Sequence, residues 1–389
     1  MKKILFLTTI LPLKRNSGGE IVSRLIFDKL IALGYNVDIL GYLRKHDNNL
    51  DIPSNMHLVK KIIIESSTSK WFTIITILKS LLYRQGYSSQ KYITKEYIQS
   101  LKIHLTQNDY SLIIIDHSQM GWLLDFIPAH IKIASIAHNV ECDLYKELSQ
   151  DVSVNSLLRQ IYKRETKKMY SLEKRLMSIS QFVWVLTNKN RERYAEFCPD
   201  YQNKLKTIVI PPIREPQCNI EVTQKSWDIG IIGTWTWEAN NKGLVWFFEE
   251  IYPLLPEKVS ICVAGKGADW LQNKYEKVTY VGFVDDANVF MQSSKVIAIP
   301  SIAGDGVQIK SIQALSLGQQ IVATSFALRG IENVPIYVSL ADESDLFAQK
   351  LIDVISSEQQ NYKELAVQWI EKRSIQFESV MLECLKEII

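Results

Sequence analysis

The residues best placed for chemistry lie between Val296 and Ile331. An apolar run, Val296 to Ile299, stops at Pro300-Ser301, and a glycine-bracketed acid, Gly304-Asp305-Gly306, follows. A helical pattern then runs from Val307 to Leu317, carries Lys310 and Gln313, and ends at Gly318 before a second apolar run, Ile321 to Ala323. The spacing predicts strand, glycine loop, helix and strand, one βαβ unit. Its loop falls at the carboxyl end of a parallel strand, where open α/β sheets bind ligands. Glycines admit a ligand close to the backbone, and first-turn N–H groups attract anions. Lys310 adds a point charge. Asp305 and Gln313 can accept hydrogen bonds from hydroxyl groups. The plain alternative is a capped helix on a surface turn with Lys310 solvated.

Further candidates stand at the ends of other apolar runs. Gly18 and Gly19, with Glu20, open the helix after the first strand, Ile4 to Thr8. His117 follows Leu112 to Ile115, and His138 follows Ile131 to Ile136, which puts both at carboxyl ends of strands. A lone histidine is more often structural, and the spacing makes no case for a two-histidine metal site. In the second half, Gly233 to Gly243 reads G-T-W-T-W-E-A-N-N-K-G and carries Lys242. Gly265-Lys266-Gly267 and Gly282-Phe283-Val284 close two more strands. Each of these has a bland counterpart, an ordinary strand-to-helix turn or a packed tryptophan.

Taken together these motifs resemble the retaining GT-B glycosyltransferases of the group 1, or family 4, type. In that family a loop acid is followed eight residues later by a second acid; Asp305 and Gln313 occupy that frame, with Asp and Gln where the family has Glu. The loop from Gly233 resembles a G-x-x-x-W-x-x-N-x-x-G subgroup pattern, met by Gly233, Trp237, Asn240 and Gly243. Thr234 or Trp235 stands where many members carry an arginine. His138-Asn139-Val140-Glu141 resembles an H-N-x-E stretch of the same family. The resemblance implies a GT-B fold, two Rossmann-like α/β domains with parallel sheets facing across a cleft. It implies a nucleotide-sugar donor, an acceptor hydroxyl, retention of configuration, and no metal or other cofactor. His138, Asp305 and Lys310 would then act at the reacting centre. Gly18, Gly19, Gly233, Lys242, Gly265, Phe283, Gly304, Gly306 and Gln313 would hold the donor. Uridine and guanosine are the expected bases.

The elements that must position these groups fit a chain of 389 residues, too long for one comfortable core. The expected division is an acceptor domain over residues 1–213, a nucleotide-sugar domain over 214–370, and a terminal helix over 371–389 that crosses back to the amino domain. Net charge is +3, split into +11 over residues 1–213 and −8 over 214–389. A basic half suggests an anionic partner, such as a membrane surface, a lipid pyrophosphate or an anionic glycan. No recognised nucleic-acid module is present. Trp71 to Leu82 is apolar, with Lys70, Lys79 and Arg84 around it and Tyr83, Tyr87, Tyr92 and Tyr97 beyond. That segment reads equally as an interfacial membrane helix and as a helix packed on its sheet. Five cysteines (Cys142, Cys198, Cys218, Cys262 and Cys384) are an odd number without close pairs, which fits a reducing cytosol. Lys2-Lys3 before an apolar run imitates an export signal, but a first buried strand explains it better. No segment has the ~20 apolar residues of a membrane span. The expected setting is cytoplasmic, with peripheral contact at the inner face of the membrane during surface-polysaccharide or glycolipid assembly.

Two other classes compete. A non-catalytic GT-B subunit that binds a glycan or a partner enzyme would tolerate Gln313 and the missing arginine. A sugar-nucleotide epimerase would need several acid/base side chains that the sequence does not gather. A dehydrogenase is disfavoured, since no G-x-G-x-x-G follows the first strand.

Overall fold

The computed structural model describes residues 2–14, 17–48, 50–64, 70–151, 155–213, 225–304 and 306–388. The chain divides into two compact units, Met1–Ile208 with Glu378–Ile389, and Val209–Phe377. The amino unit holds β1 (Lys3–Ile10), β2 (Asn36–Arg44), β3 (Met56–Ile62), β4 (Leu112–Asp116), β5 (Lys132–Ala137), β6 (Val183–Val185) and β7 (Leu205–Thr207). They form one parallel sheet in the order β3-β2-β1-β4-β5-β6-β7. The carboxyl unit holds β8 (Trp227–Ile232), β9 (Ile261–Ala264), β10 (Val278–Gly282), β11 (Ser294–Ile299), β12 (Ile321–Ala323) and β13 (Val338–Leu340). These also run parallel, in the order β10-β9-β8-β11-β12-β13.

Sequence explains the centre of each sheet. In β1 the residues Ile4 to Leu7, and in β4 the residues Leu112 to Ile115, are wholly buried. A parallel strand covered on both faces requires such continuous apolar runs. The Lys2-Lys3 leader with its apolar sequel is therefore the first strand of the sheet. Two edge strands, β3 and β13, were not legible. β3 carries Lys60 and Lys61 and is mostly half-buried, and β13 is only Val-Ser-Leu. Edges with one wet face lack the apolar run that marks central strands. The strand β7 is followed directly by Ile208, whose N–H donates to Val185 O at 2.9 Å.

The long helix Ser156–Ile179 organises the amino unit through its two acids. The Glu165 carboxylate accepts from Tyr87 N–H at 2.8 Å and Ser88 N–H at 3.1 Å, which caps the short helix Tyr87–Gln90. The Glu173 carboxylate accepts from Glu141 N–H at 2.9 Å and Cys142 N–H at 3.2 Å, which caps the helix Glu141–Gln150. Orphan N–H groups at a helix start are satisfied here by acids from another helix, a favourable use of negative charge. Both Glu165 and Glu173 are fully buried. The terminal helix, Lys363–Lys386, has its last turns in the amino unit. There Trp184 Nε1–H points at Cys384 Sγ at 3.4 Å, and Lys29 pairs with Glu378 at 2.9 Å. Cys142, Cys198, Cys262 and Cys384 are free and buried, and Cys218 lies outside the described residues.

Both sheets reverse strand order once, between β1 and β4 and between β8 and β11. Loops from those neighbouring strands turn to opposite faces and leave a crevice at their carboxyl ends. In the carboxyl unit the loops meet backbone to backbone. A Cβ on Gly265 would lie 1.7 Å from Gly233 O, and φ there is +108°. Gly265→Ala should therefore destabilise the carboxyl unit by about 2 kcal/mol or more, read as a lower urea midpoint. An unchanged midpoint would mean the loops separate freely.

Candidate functional site

In the amino unit the reversal point gathers Gly18, Gly19, Asp116, His117 and His138. β1 delivers Thr8, and the helix Gly18–Ala32 starts nearby with Ser17 as N-cap, its Oγ accepting from Glu20 N–H at 3.3 Å. Glu20 in turn pairs with Arg44. Asp116, the last residue of β4, is wholly buried and its carboxylate is saturated. Oδ2 accepts from Thr8 Oγ1 and Ser23 Oγ, each at 2.7 Å, and Oδ1 lies 2.7 Å from His138 Nε2. Burial alone would raise its pKa. The flanking His117 and His138, with hydrogen bonds from His138 and Thr8, instead hold it below the usual carboxylate range.

His117 and His138 stack face to face, ring centroids 3.8 Å apart and planes 16° from parallel. A Cβ on Gly19 would sit 3.2 Å from His117 Cε1 and 3.9 Å from His138 Nδ1. The glycine thus leaves the helix start open toward both imidazoles. His117 has φ +70° and ψ 132°. Side chains rarely occupy that region, and the strain costs on the order of 1–3 kcal/mol. Such outliers persist where the surroundings fix them, often at functional sites. Sequence spacing made no case for a metal at two histidines, yet ligand atoms of Asp116, His117 and His138 lie within 4.8 Å of one another. The rings stack instead of converging, and Asp116 already accepts three hydrogen bonds, so the cluster reads as a hydrogen-bonded hub.

In the carboxyl unit the reversal point gathers the loops after β8, β9 and β11. Trp235 is buried, its Nε1–H donates to Ala264 O at 2.8 Å, and its ring fills the space a Gly233 side chain would need. Lys310, in the first turn of the helix Ile309–Ser316, places Nζ 5.6 Å from the centre of that ring. Arg329 reaches the same loop. Its Nε–H donates to Gly306 O at 2.8 Å, its Nη1–H donates to Phe326 O at 2.8 Å, and Nη2 lies 3.3 Å from where a Gly304 side chain would begin. Burial of the ammonium, and then the charge of Arg329, push the Lys310 pKa down to about 8. An anion close by would favour the charged form of Lys310.

The remaining candidates fall out differently. Gln313 Nε2–H donates to Asn288 Oδ1 at 2.7 Å. Its Oε1 is buried with no hydrogen-bond partner among the described residues, a free acceptor. Phe283 is 66% exposed at the end of β10, with Lys266 Nζ 5.0 Å from its ring centre. Lys242 is exposed, with Nζ 3.2 Å from Glu238. Asp305 lies outside the described residues. Sequence reasoning passed over Asp116 and Arg329. The signals were present: an acid ending a wholly apolar Leu-Ile-Ile-Ile run, and an arginine shortly after the strand next to β11.

Comparison with known proteins places these loops in a family. Residues 227–357 match the family described as glycosyl transferases group 1. The chain is similar to an uncharacterized 44.6 kDa protein in the cps region of Klebsiella pneumoniae, 20% identical over 91% of each chain. Among solved structures it is similar to sucrose-phosphate synthase from Thermosynechococcus elongatus, TM-score 0.65 at 15% identity over 99% of this chain and 98% of that one. It is also similar to Anabaena HepE in complex with UDP, TM-score 0.57 at 13% identity over all of both chains. At these identities the solved structures establish the fold, which is GT-B.

One consequence of the histidine pair is pH dependence. Burial and the neighbouring His138, with a smaller effect of Lys91, outweigh Asp116 and push the His117 pKa down to about 4. A histidine in the unfolded chain titrates near 6.5. Between those values the unfolded state holds more protons, so stability falls as pH drops from about 6.5 to about 4, by up to ~1.4 kcal/mol per pH unit for this group. His117→Gln should flatten that stretch of the amino unit's stability curve, measured by urea unfolding at several pH values. An unchanged slope would exclude His117 as the source.

Proposed function

The chain is a group 1 glycosyltransferase of GT-B fold, and on that premise we propose that it moves a sugar from a nucleotide-sugar donor to an acceptor hydroxyl with retention of configuration. The observation that carries this reading is the Lys310–Arg329 pair at the Gly304–Gly306 loop. A diphosphate placed there would neutralise both cations and meet the first-turn N–H groups of the helix Ile309–Ser316. Gln313 Oε1 offers an acceptor to a ribose hydroxyl, and exposed Phe283 offers a face to the base. HepE in complex with UDP supports a uridine donor.

In this reading the bond from the anomeric carbon to the diphosphate breaks as charge grows on the leaving oxygen, which Lys310 and Arg329 stabilise. The acceptor oxygen bonds to the same face of that carbon, and its proton passes to the departing phosphate. His138, held by Asp116, and Gly18-Gly19 line the amino unit's share of the chemistry. Cell-surface polysaccharide assembly fits the similarity to a protein described by its place in a cps region.

Titration with UDP-, GDP- and dTDP-sugars tests the reading. A tight donor that is slowly hydrolysed supports transfer, and no binding by a well-folded protein would favour a non-catalytic subunit. Lys310→Ala and Arg329→Ala should each weaken donor binding about tenfold, ~1.4 kcal/mol, the former with unfolding unchanged. Donor affinity should also fall as pH rises through about 8, where Lys310 loses its proton, and Lys310→Arg should remove that fall. Equal affinity in all variants would take the diphosphate away from this loop.

A further inference from the structure

The helix Lys70–Leu82 is amphipathic with its apolar side outward. Trp71, Ile74, Ile75, Leu78, Leu81 and Leu82 recur at one-face spacing and are all exposed, Trp71 and Leu82 at 75% each and Leu78 at 60%. The buried side carries Thr76 and Ser80 instead. Their hydroxyls bond back into the helix, Thr76 Oγ1–H to Phe72 O at 2.8 Å and Ser80 Oγ–H to Ile77 O at 2.7 Å. Ser80 O accepts from Arg164 Nη2–H of the long helix at 2.8 Å. A helix that only packed on its sheet would turn the stripe inward. Here the sequence left two readings open, and the orientation decides against packing on the sheet.

The surroundings are cationic. Residues 70–84 contain Lys70, Lys79 and Arg84 and no acid. The adjoining helix Ser156–Ile179 carries seven Lys and Arg and two Glu, and both Glu are buried as caps of other helices. Its outward charge is therefore entirely positive. Arg84, Lys168 and Arg175 line a hollow of ≈ 170 Å³ beside the end of the stripe, Arg175 also pairing with Asp125 at 2.7 Å. Trp71 begins the stripe, and exposed Tyr83 follows its end. Trp and Tyr favour the boundary between apolar chains and polar headgroups.

We propose that this face docks on a lipid bilayer bearing anionic headgroups. The Trp71–Leu82 stripe enters the interface, and Arg84 and Lys168 meet phosphate groups. An apolar stripe alone would suit a protein partner equally. The cations Lys79, Arg84 and Lys168, with both acids of the neighbouring helix turned inward, select an anionic surface.

The test is sedimentation of the full-length protein with vesicles of mixed phosphatidylglycerol and phosphatidylcholine, and with phosphatidylcholine alone. Retention is expected on the anionic vesicles and should weaken with added salt. The double variant Leu78→Ser, Leu81→Ser changes only exposed positions. It should bind about tenfold more weakly with its thermal unfolding unchanged. Arg84→Gln with Lys168→Gln should lower retention and flatten the salt dependence. The proposal is overturned by any of three results: no retention of wild type, equal retention of wild type and the Leu78/Leu81 variant, or equal retention on uncharged vesicles. A wild-type dimer that this variant dissolves, without vesicle binding, would reassign the face to a contact between copies of the chain.

Discussion

One buried carboxylate joins three segments at the reversal point of the amino unit. Asp116 ties β1 through Thr8, the first helix through Ser23, and the segment after β5 through His138. Each bond is charge-assisted and stronger than a neutral one. The arrangement is also unforgiving, because losing one donor leaves part of a buried charge unsatisfied. The stacked His117 and the opening at Gly19 follow from it. His138 can lie flat against its neighbour because its other edge is held by Asp116. The strained backbone at His117 is tolerated because a hydrogen bond on each side, its N–H to Ile136 O and its own carbonyl to Met120 N–H, fixes the turn.

The carboxyl unit solves the converse problem. Its reversal point concentrates positive charge where the amino unit buries negative charge. Lys310 and Arg329 are brought together by glycines that let three loops press close, with Trp235 filling the space beneath. Holding two cations in a partly buried place costs stability, and the lowered Lys310 pKa records that cost. Arg329 also bears on the missing arginine after Gly233. A guanidinium reaches the Gly304–Gly306 loop from the segment after β12, so the absence of arginine from one motif does not leave the loop without one.

Much of this was written in the sequence, for physical reasons. Central parallel strands must be continuous apolar runs, so β1, β4, β5, β8, β11 and β12 stood out, and glycines marked the loops at their ends. Edge strands β3 and β13 were silent because their side chains obey no single environment. The candidate site was legible where its residues sit on a local motif, as at Gly19, His138 and Lys310. It was not legible where a group arrives from a distant segment. Arg329 lies nineteen positions after Lys310, and only strand adjacency brings them together. Lys242, on a local motif as well, is exposed and pairs with Glu238 one turn before it.

The same economy of charge links the fold to the outer surface of the amino unit. The helix Ser156–Ile179 needs acids inside, since Glu165 and Glu173 cap two helices that have no side-chain cap of their own. Burial makes that costly, and it pushes the Glu173 pKa up to about 7. A solvated helix would commonly offset its lysines with acids three or four residues away on its surface. This one turns both of its acids inward, and among its cations Arg175 finds its acid, Asp125, in another segment. The cap also sets the turn His138–Glu141, so the packing that positions the histidine is the packing that strips negative charge from the outer face. The setting of His138 and the surface charge of this unit are therefore not independent features, since one helix and two buried glutamates bear on both.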